Sequence, residues 1–170
     1  FEKWMDNDRK NEYPIIRQCQ QDTADTVANV HLCSISDAGE QIDIHPKNKK
    51  VVGERLALLA RKYAYGEDIL ADAPRMESVT RKKNIVTITW NNAGDGIVVK
   101  GNKVEGLHVF AGEEEKAYSF TVAENKLVLQ MEQVEDEPLQ VKFARTSWYQ
   151  VNLYNSAGIP AIPFETNGDI

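Results

Sequence analysis

Apolar residues recur in two different rhythms along this chain of 170 residues, and the change of rhythm falls near residue 72. Over residues 47–65, Val52, Leu56, Leu59, Ala60 and Tyr63 follow helical spacing, while Lys50, Glu54, Arg61 and Lys62 supply a polar side. This is the strongest helical pattern in the chain, and Gly66 is placed to close its C-terminus. Residues 13–21 predict a shorter helix, because Pro14 is tolerated in a first turn. Residues 26–35 carry Val27, Val30, Leu32 and Ile35 in imperfect alternation, which predicts a strand. Residues 34–46 predict a polar loop, residues 71–74 a linker, and residues 1–11 a polar, irregular start.

Beyond that point the period falls to two. Strands are predicted at residues 84–90, 97–100, 107–111, 117–122, 126–131 and 139–144, parted by turns such as 91–96 and 101–102. Short strands separated by Gly, Asn and Asp turns predict a β-sandwich. The acidic run Glu113-Glu114-Glu115 reads as a solvated turn. The expected organisation is therefore an α/β segment over residues 1–72 and an all-β sandwich with a C-terminal tail over residues 73–170.

Composition narrows the partners. The net charge of −6 and the absence of a basic stripe with interleaved aromatics argue against nucleic acid or an anionic membrane. No apolar run approaches the roughly 20 residues of a spanning helix. The chain opens at Phe1 without Met, which predicts either a removed leader or a piece of a longer protein. Cys19 and Cys33 fit no zinc or haem spacing, and they are read either as a disulfide or as free thiols. His31, His45 and His108 are too scattered for a metal site, and Gly94-Asp95-Gly96 lacks the lysine and helix of a phosphate loop. No metal or organic cofactor is expected.

Candidate chemistry concentrates in Asp43-Ile44-His45-Pro46, a loop just ahead of the long helix. In an extended segment residues two apart share a side, so Asp43 and His45 face the same way and Ile44 turns toward the core. Pro46 restricts His45 to extended geometry. A carboxylate that orients a histidine makes two-thirds of a hydrolase triad. A structural role is the commoner fate of a single histidine, and Asp-x-His also arises by chance.

The stretch from Gln41 through Asp43, His45, Pro46, Asn48, Val52, Gly53 and Arg55 to Leu58 resembles the catalytic-histidine segment of sialate O-acetylesterases. Ile16-Arg17-Gln18-Cys19-Gln20 is similar to the family's preceding helix, and residues 152–166 are similar to its closing block. These are SGNH-like serine esterases with a flavodoxin-like α/β catalytic domain. The resemblance implies that residues 1–72 are the C-terminal piece of such a domain and that His45 is the general base. It implies Asp43 as the orienting acid, with Asp37, Glu40 or a backbone carbonyl as alternatives, because many SGNH hydrolases carry the acid at the position that is Ile42 here.

The family's nucleophile lies in a Gly-Gln-Ser-type turn that this sequence lacks. The expected partners are thus an acetylated sugar and the N-terminal part of the same esterase, as a separate or missing chain. By itself this chain is expected to be inactive. Exported localisation (periplasmic, lysosomal or extracellular) is implied by the resemblance alone. Tyr154 and Asn155 are candidate substrate contacts, set against a purely structural tail. Trp148 and Tyr149 are a candidate sugar-stacking edge, set against core packing. The activity implied is hydrolysis of O-acetyl esters on sialic acid or a related sugar. The rivals are deacetylation of xylan or another plant glycan, and a non-catalytic carbohydrate-binding module built on the sandwich.

Overall fold

Two helices come first and every strand follows them in the computed structural model, which describes residues 12–170 except Ile42, Ile44, Gln133, Glu135, Asp136, Asp169 and the side chain of Glu12. The expectations for residues 1–11 and for Ile44 lie outside the described residues. Helix α1 spans Glu12–Thr26 and α2 spans Lys50–Tyr63. Both were anticipated, but α1 continues five residues past Gln21 to Thr26. The α2 dipole is matched by Arg61 and Lys62 in its last turn. Gly66 lies beyond Tyr63 at a φ of 71°, and there the Glu67 N–H turns back to the Arg61 carbonyl at 3.0 Å.

The buried side of α2 differs from the one its apolar spacing indicates. Arg55 and Leu59 are buried, whereas Leu56 and Tyr63 remain 52% and 45% exposed. The helix is therefore rotated toward a polar anchor, described below.

Residues 26–35 are not a strand. A turn occupies the start, with Asn29 at a φ of 62° and the Val30 N–H on the Val27 carbonyl, and the remainder is irregular. A strand exists only through ladder bonds to a neighbour, and among the described residues none pairs with this segment. The two helices accordingly flank no parallel sheet among the described residues, and the expected α/β layer is not seen there.

The rest is antiparallel β structure. Strands β1 (Arg75–Lys82), β2 (Ile85–Asn91), β6 (Tyr118–Ala123) and β7 (Lys126–Met131) form one sheet in the order β1-β2-β7-β6. Strands β4 (Leu107–Ala111), β5 (Glu114–Glu115), β8 (Leu139–Phe143) and β10 (Phe164–Glu165) form a second, in the order β10-β8-β4-β5. Strands β3 (Ile97–Val99) and β9 (Leu153–Asn155) make a small ribbon. The central strands alternate as their sequences demand: Val86, Ile88 and Trp90 in β2, Leu127, Leu129 and Met131 in β7, and Leu139, Val141 and Phe143 in β8 all point into one core. Trp90 joins the two sheets, meeting Phe143 edge-on at 5.8 Å and Phe164 at 5.5 Å.

Strands β1, β5, β9 and β10 were not anticipated. The Glu113–Glu115 run is only partly a turn, since Glu114 and Glu115 pair with β4 as an edge strand. The linker at residues 71–74 is buried at Ala71, Ala73 and Pro74, so the chain crosses between the helices and the sheets through packed structure.

Candidate functional site

The loop between α1 and α2 is held by one ion pair. Arg55, 8% exposed, reaches back from α2 with Nη1 and Nη2 on the two carboxylate oxygens of Asp37, at 2.5 and 2.8 Å. The same guanidinium donates to the Ser34 carbonyl at 3.0 Å and to the Gly158 carbonyl at 3.3 Å. A planar fork meeting a carboxylate in bidentate fashion is the strong geometry for such a pair. The Asp37 hydrogen bond raises the Arg55 pKa, against the opposing pull of burial. Helix, loop and C-terminal tail are thereby pinned at one point. Asp37 is committed to Arg55 and makes no ion pair with His45 among the described residues.

Asp43 and His45 stand further along the loop. Asp43 Oδ1 accepts the backbone N–H of His45 at 2.8 Å, an Asx turn that fixes the local chain direction. The same oxygen lies 3.9 Å from His45 Nδ1, near but beyond hydrogen-bond length. The imidazole projects outward with 89% of its side-chain surface exposed. Among the described residues no serine hydroxyl hydrogen-bonds to it. The two expected members of a triad are therefore neighbours, with the ring open on its other side. Glu40 is exposed in the same loop.

Tyr154 and Asn155 lie in β9, buried. Asn155 Nδ2 donates to the carbonyls of Asp72 and Asn92, both at 3.0 Å, and its Oδ1 accepts the N–H groups of Ala157 and Ile159. That exhausts the amide's ordinary capacity. The Tyr154 hydroxyl donates to the Val151 carbonyl at 3.2 Å, and Lys100 Nζ sits 4.2 Å from the ring centroid. His31 stacks on Tyr63 at 3.4 Å, and His108 meets Glu115 at 2.6 Å on the sandwich edge. Cys19 and Cys33 are both free thiols, and burial pushes the Cys33 thiol up despite the nearby Arg55.

Beside Asp43 opens a cavity of about 350 Å³ between α1, residues 32–46 and the segments 147–149 and 162–163. Leu32, Ile35, Ile162 and Pro163 give it an apolar lining, and Trp148 forms part of the wall. Arg17 enters from α1, anchored by hydrogen bonds to the carbonyls of Tyr13 and Thr146. Burial lowers its pKa, the Tyr149 phenol acts to raise it, and Arg145 acts to lower it. The Tyr149 hydroxyl is buried and closes no hydrogen bond of good geometry among the described residues. Burial pushes its pKa up to about 12, opposed by the Ser36 hydroxyl and by Arg17. Sequence reasoning considered Tyr149 for stacking but missed Arg17, whose only signal was its place in the resembling helix.

Among the described residues no cluster of three or more His, Cys, Asp or Glu side chains is arranged to hold a metal ion.

No family model matches this chain, and no curated protein matches it. A solved structure does: a carbohydrate acetylesterase from Xanthomonas citri superposes with a TM-score of 0.77 at 26% sequence identity. The match covers 91% of this chain but 36% of that one, so the chain spans little more than a third of the esterase's length.

Proposed function

We propose that this chain is part of a carboxylic ester hydrolase that removes O-acetyl groups from a sugar, with sialic acid or a related sugar as the substrate. The observation that carries the reading is the likeness to a carbohydrate acetylesterase over 91% of the chain, and the side-by-side placement of Asp43 and His45 in the loop between the helices supports it. In this reading His45 is the general base that deprotonates a serine hydroxyl and then returns the proton to the leaving sugar oxygen. Asp43 stabilises the imidazolium that forms and sets the direction of the loop through its bond to the His45 N–H. In this reading the open face of the His45 ring receives the serine from the N-terminal part of the same esterase. Tyr154 and Asn155 serve as scaffold, because their polar groups are bonded within the protein.

The test is turnover of p-nitrophenyl acetate and of an O-acetylated sialic acid. This chain alone should show none. The complete esterase should show turnover sensitive to serine-directed inhibitors, and His45→Ala should abolish it while the melting temperature stays within a degree or two. Normal turnover in that variant would remove His45 from the reaction.

A further inference from the structure

The segment that carries His45 has little regular structure to hold it. Between α1 and α2 the described residues form neither helix nor strand. Two of the backbone bonds there are local, from the Ala38 N–H to the Ile35 carbonyl at 2.9 Å and from the Lys49 N–H to the Lys47 carbonyl at 3.0 Å. The His45 side chain is 89% exposed, so its place is set by the backbone beneath it and not by packing of the ring. Helix α2 begins soon after, at Lys50, without a side-chain N-cap and without an acid in its first turn. The anchor near this end is Arg55. Its fork on Asp37 fastens the start of the loop to the same helix that the loop enters at Lys50, so residues 38–49 form a closed loop with both ends on α2. Closing a loop removes the spread of conformations that free ends allow. The guanidinium also donates to the carbonyls of Ser34 and Gly158. Gly158 stands in a turn fixed from both sides. Its N–H bonds the Asn155 carbonyl at 3.0 Å, and Asn155 Oδ1 accepts the flanking Ala157 and Ile159 N–H groups at 3.1 and 3.0 Å. Asn155 is 1% exposed and donates in turn to the Asp72 and Asn92 carbonyls. One side chain thus refers the His45 loop to the β layers.

We propose that Arg55 is a positioning residue for the general base: by clamping Asp37 and Ser34 to α2 and to Gly158, it makes the β region the frame that fixes where His45 stands. A misplacement of about 1 Å costs on the order of a hundredfold in rate, and so exposed a ring depends on the frame that carries it. The fork geometry is essential, because a lysine, a single point charge, cannot hold both carboxylate oxygens and the two carbonyls at once. The consequence for turnover rests on the ester-hydrolase reading, whereas the effect on loop order does not.

Two measurements test the clamp. In this chain the 15N order parameter of the His45 amide should lie near the rigid value of about 0.85 and fall toward about 0.6 in Arg55→Lys, while the amides of Ile88 and Leu129 in the sheet stay unchanged. In the complete esterase the same variant should lose about tenfold or more in kcat, with KM within about twofold. Added to His45→Ala, it should lower the residual turnover no further, because Arg55 acts through His45. Asp37→Asn keeps the shape and one acceptor, so it should show the same pattern in smaller degree, and it serves as the decisive variant if Arg55→Lys melts early. A His45 amide as ordered in both variants as in the wild type, or already flexible in the wild type, overturns the proposal. An unchanged kcat overturns it as well, and so does an equal further loss of turnover on the His45→Ala background, which marks a clamp that supports the fold alone. Normal turnover in the complete His45→Ala esterase speaks against the hydrolase reading, and the order parameters then decide the clamp by themselves.

Discussion

At the scale of single residues, two side chains do what their neighbours in sequence do not announce. Arg55 lies beside the face of α2 that the spacing marks as apolar, yet it is buried because Asp37 and two carbonyls satisfy it. Removing Arg55 takes away a buried side chain together with its bonds to the Ser34 and Gly158 carbonyls, and it strips the Asp37 carboxylate of its counter-charge. Arg55→Ala should therefore cost about 3 kcal/mol or more in a denaturant melt. Asp37→Asn should cost less, since the amide still accepts one of the fork's bonds. Trp90 is fully buried at the meeting of the two sheets, and its indole N–H has no acceptor among the described residues. Trp90→Ala should cost about 3–5 kcal/mol. Trp90→Phe should cost much less, because it removes an unsatisfied buried donor along with part of the ring. The candidate His45 and Asp43 were legible as a pair in the sequence. Their spacing of two was enough to place them side by side, but the Asx turn and the outward ring were not readable from it.

Elements show where local pattern suffices. Strands β4 and β7 fall at the residues that alternation indicates, because each has one face buried in the common core and a one-residue slip would reverse every side chain. The unanticipated strands β5 and β10 are two residues long, too short for any period to register. Strand β1 lies at a sheet edge with mixed burial, so its sequence RMESVTRK carries no clean alternation. Residues 26–35 failed as a strand for the opposite reason: they have a pattern but no described partner. The turn ahead of β4 depends on Gly106, at a φ of 73°, where an added Cβ would lie 3.1 Å from the Tyr149 ring. Gly106→Ala should displace that ring and lower the melting temperature.

For the molecule as a whole, the two helices are tied to the sheets by polar contacts more than by a shared apolar core. Arg75 meets Asp25 in a bidentate pair at 2.6 and 2.7 Å, Lys62 and Tyr63 both reach Asp72, and Arg17 reaches the Thr146 carbonyl. Alkaline pH provides a global test of the β layers. Burial raises the phenols of Tyr118 and Tyr149 to about 12, and the Tyr118 hydroxyl donates to the Leu107 carbonyl at 2.9 Å. A phenol whose folded pKa exceeds its unfolded value of about 10 holds its proton more tightly when folded. Its contribution is complete below pH 10 and is lost as the pH rises toward 12. Thermal melts across that window should show a falling melting temperature, and Tyr118→Phe should flatten the fall even though it loses one hydrogen bond. A melting temperature independent of pH over the same window would mean that these phenols are not desolvated.

What the sequence determined by itself is whatever a short window can encode. It set α1 through Pro14 in its first turn and α2 through its apolar spacing and Gly66, the central strands through their period of two, and the Asp43–His45 pair through its spacing. Tertiary structure alone decided which face of α2 is buried, which acid Arg55 takes, and how Arg17, Ser36 and Tyr149 come to border one cavity. Those outcomes join residues from α1, the loop at residues 32–46 and the segment at residues 147–149, far apart along the chain. No local period records such a meeting, because it is settled by which desolvated groups find partners when the layers close.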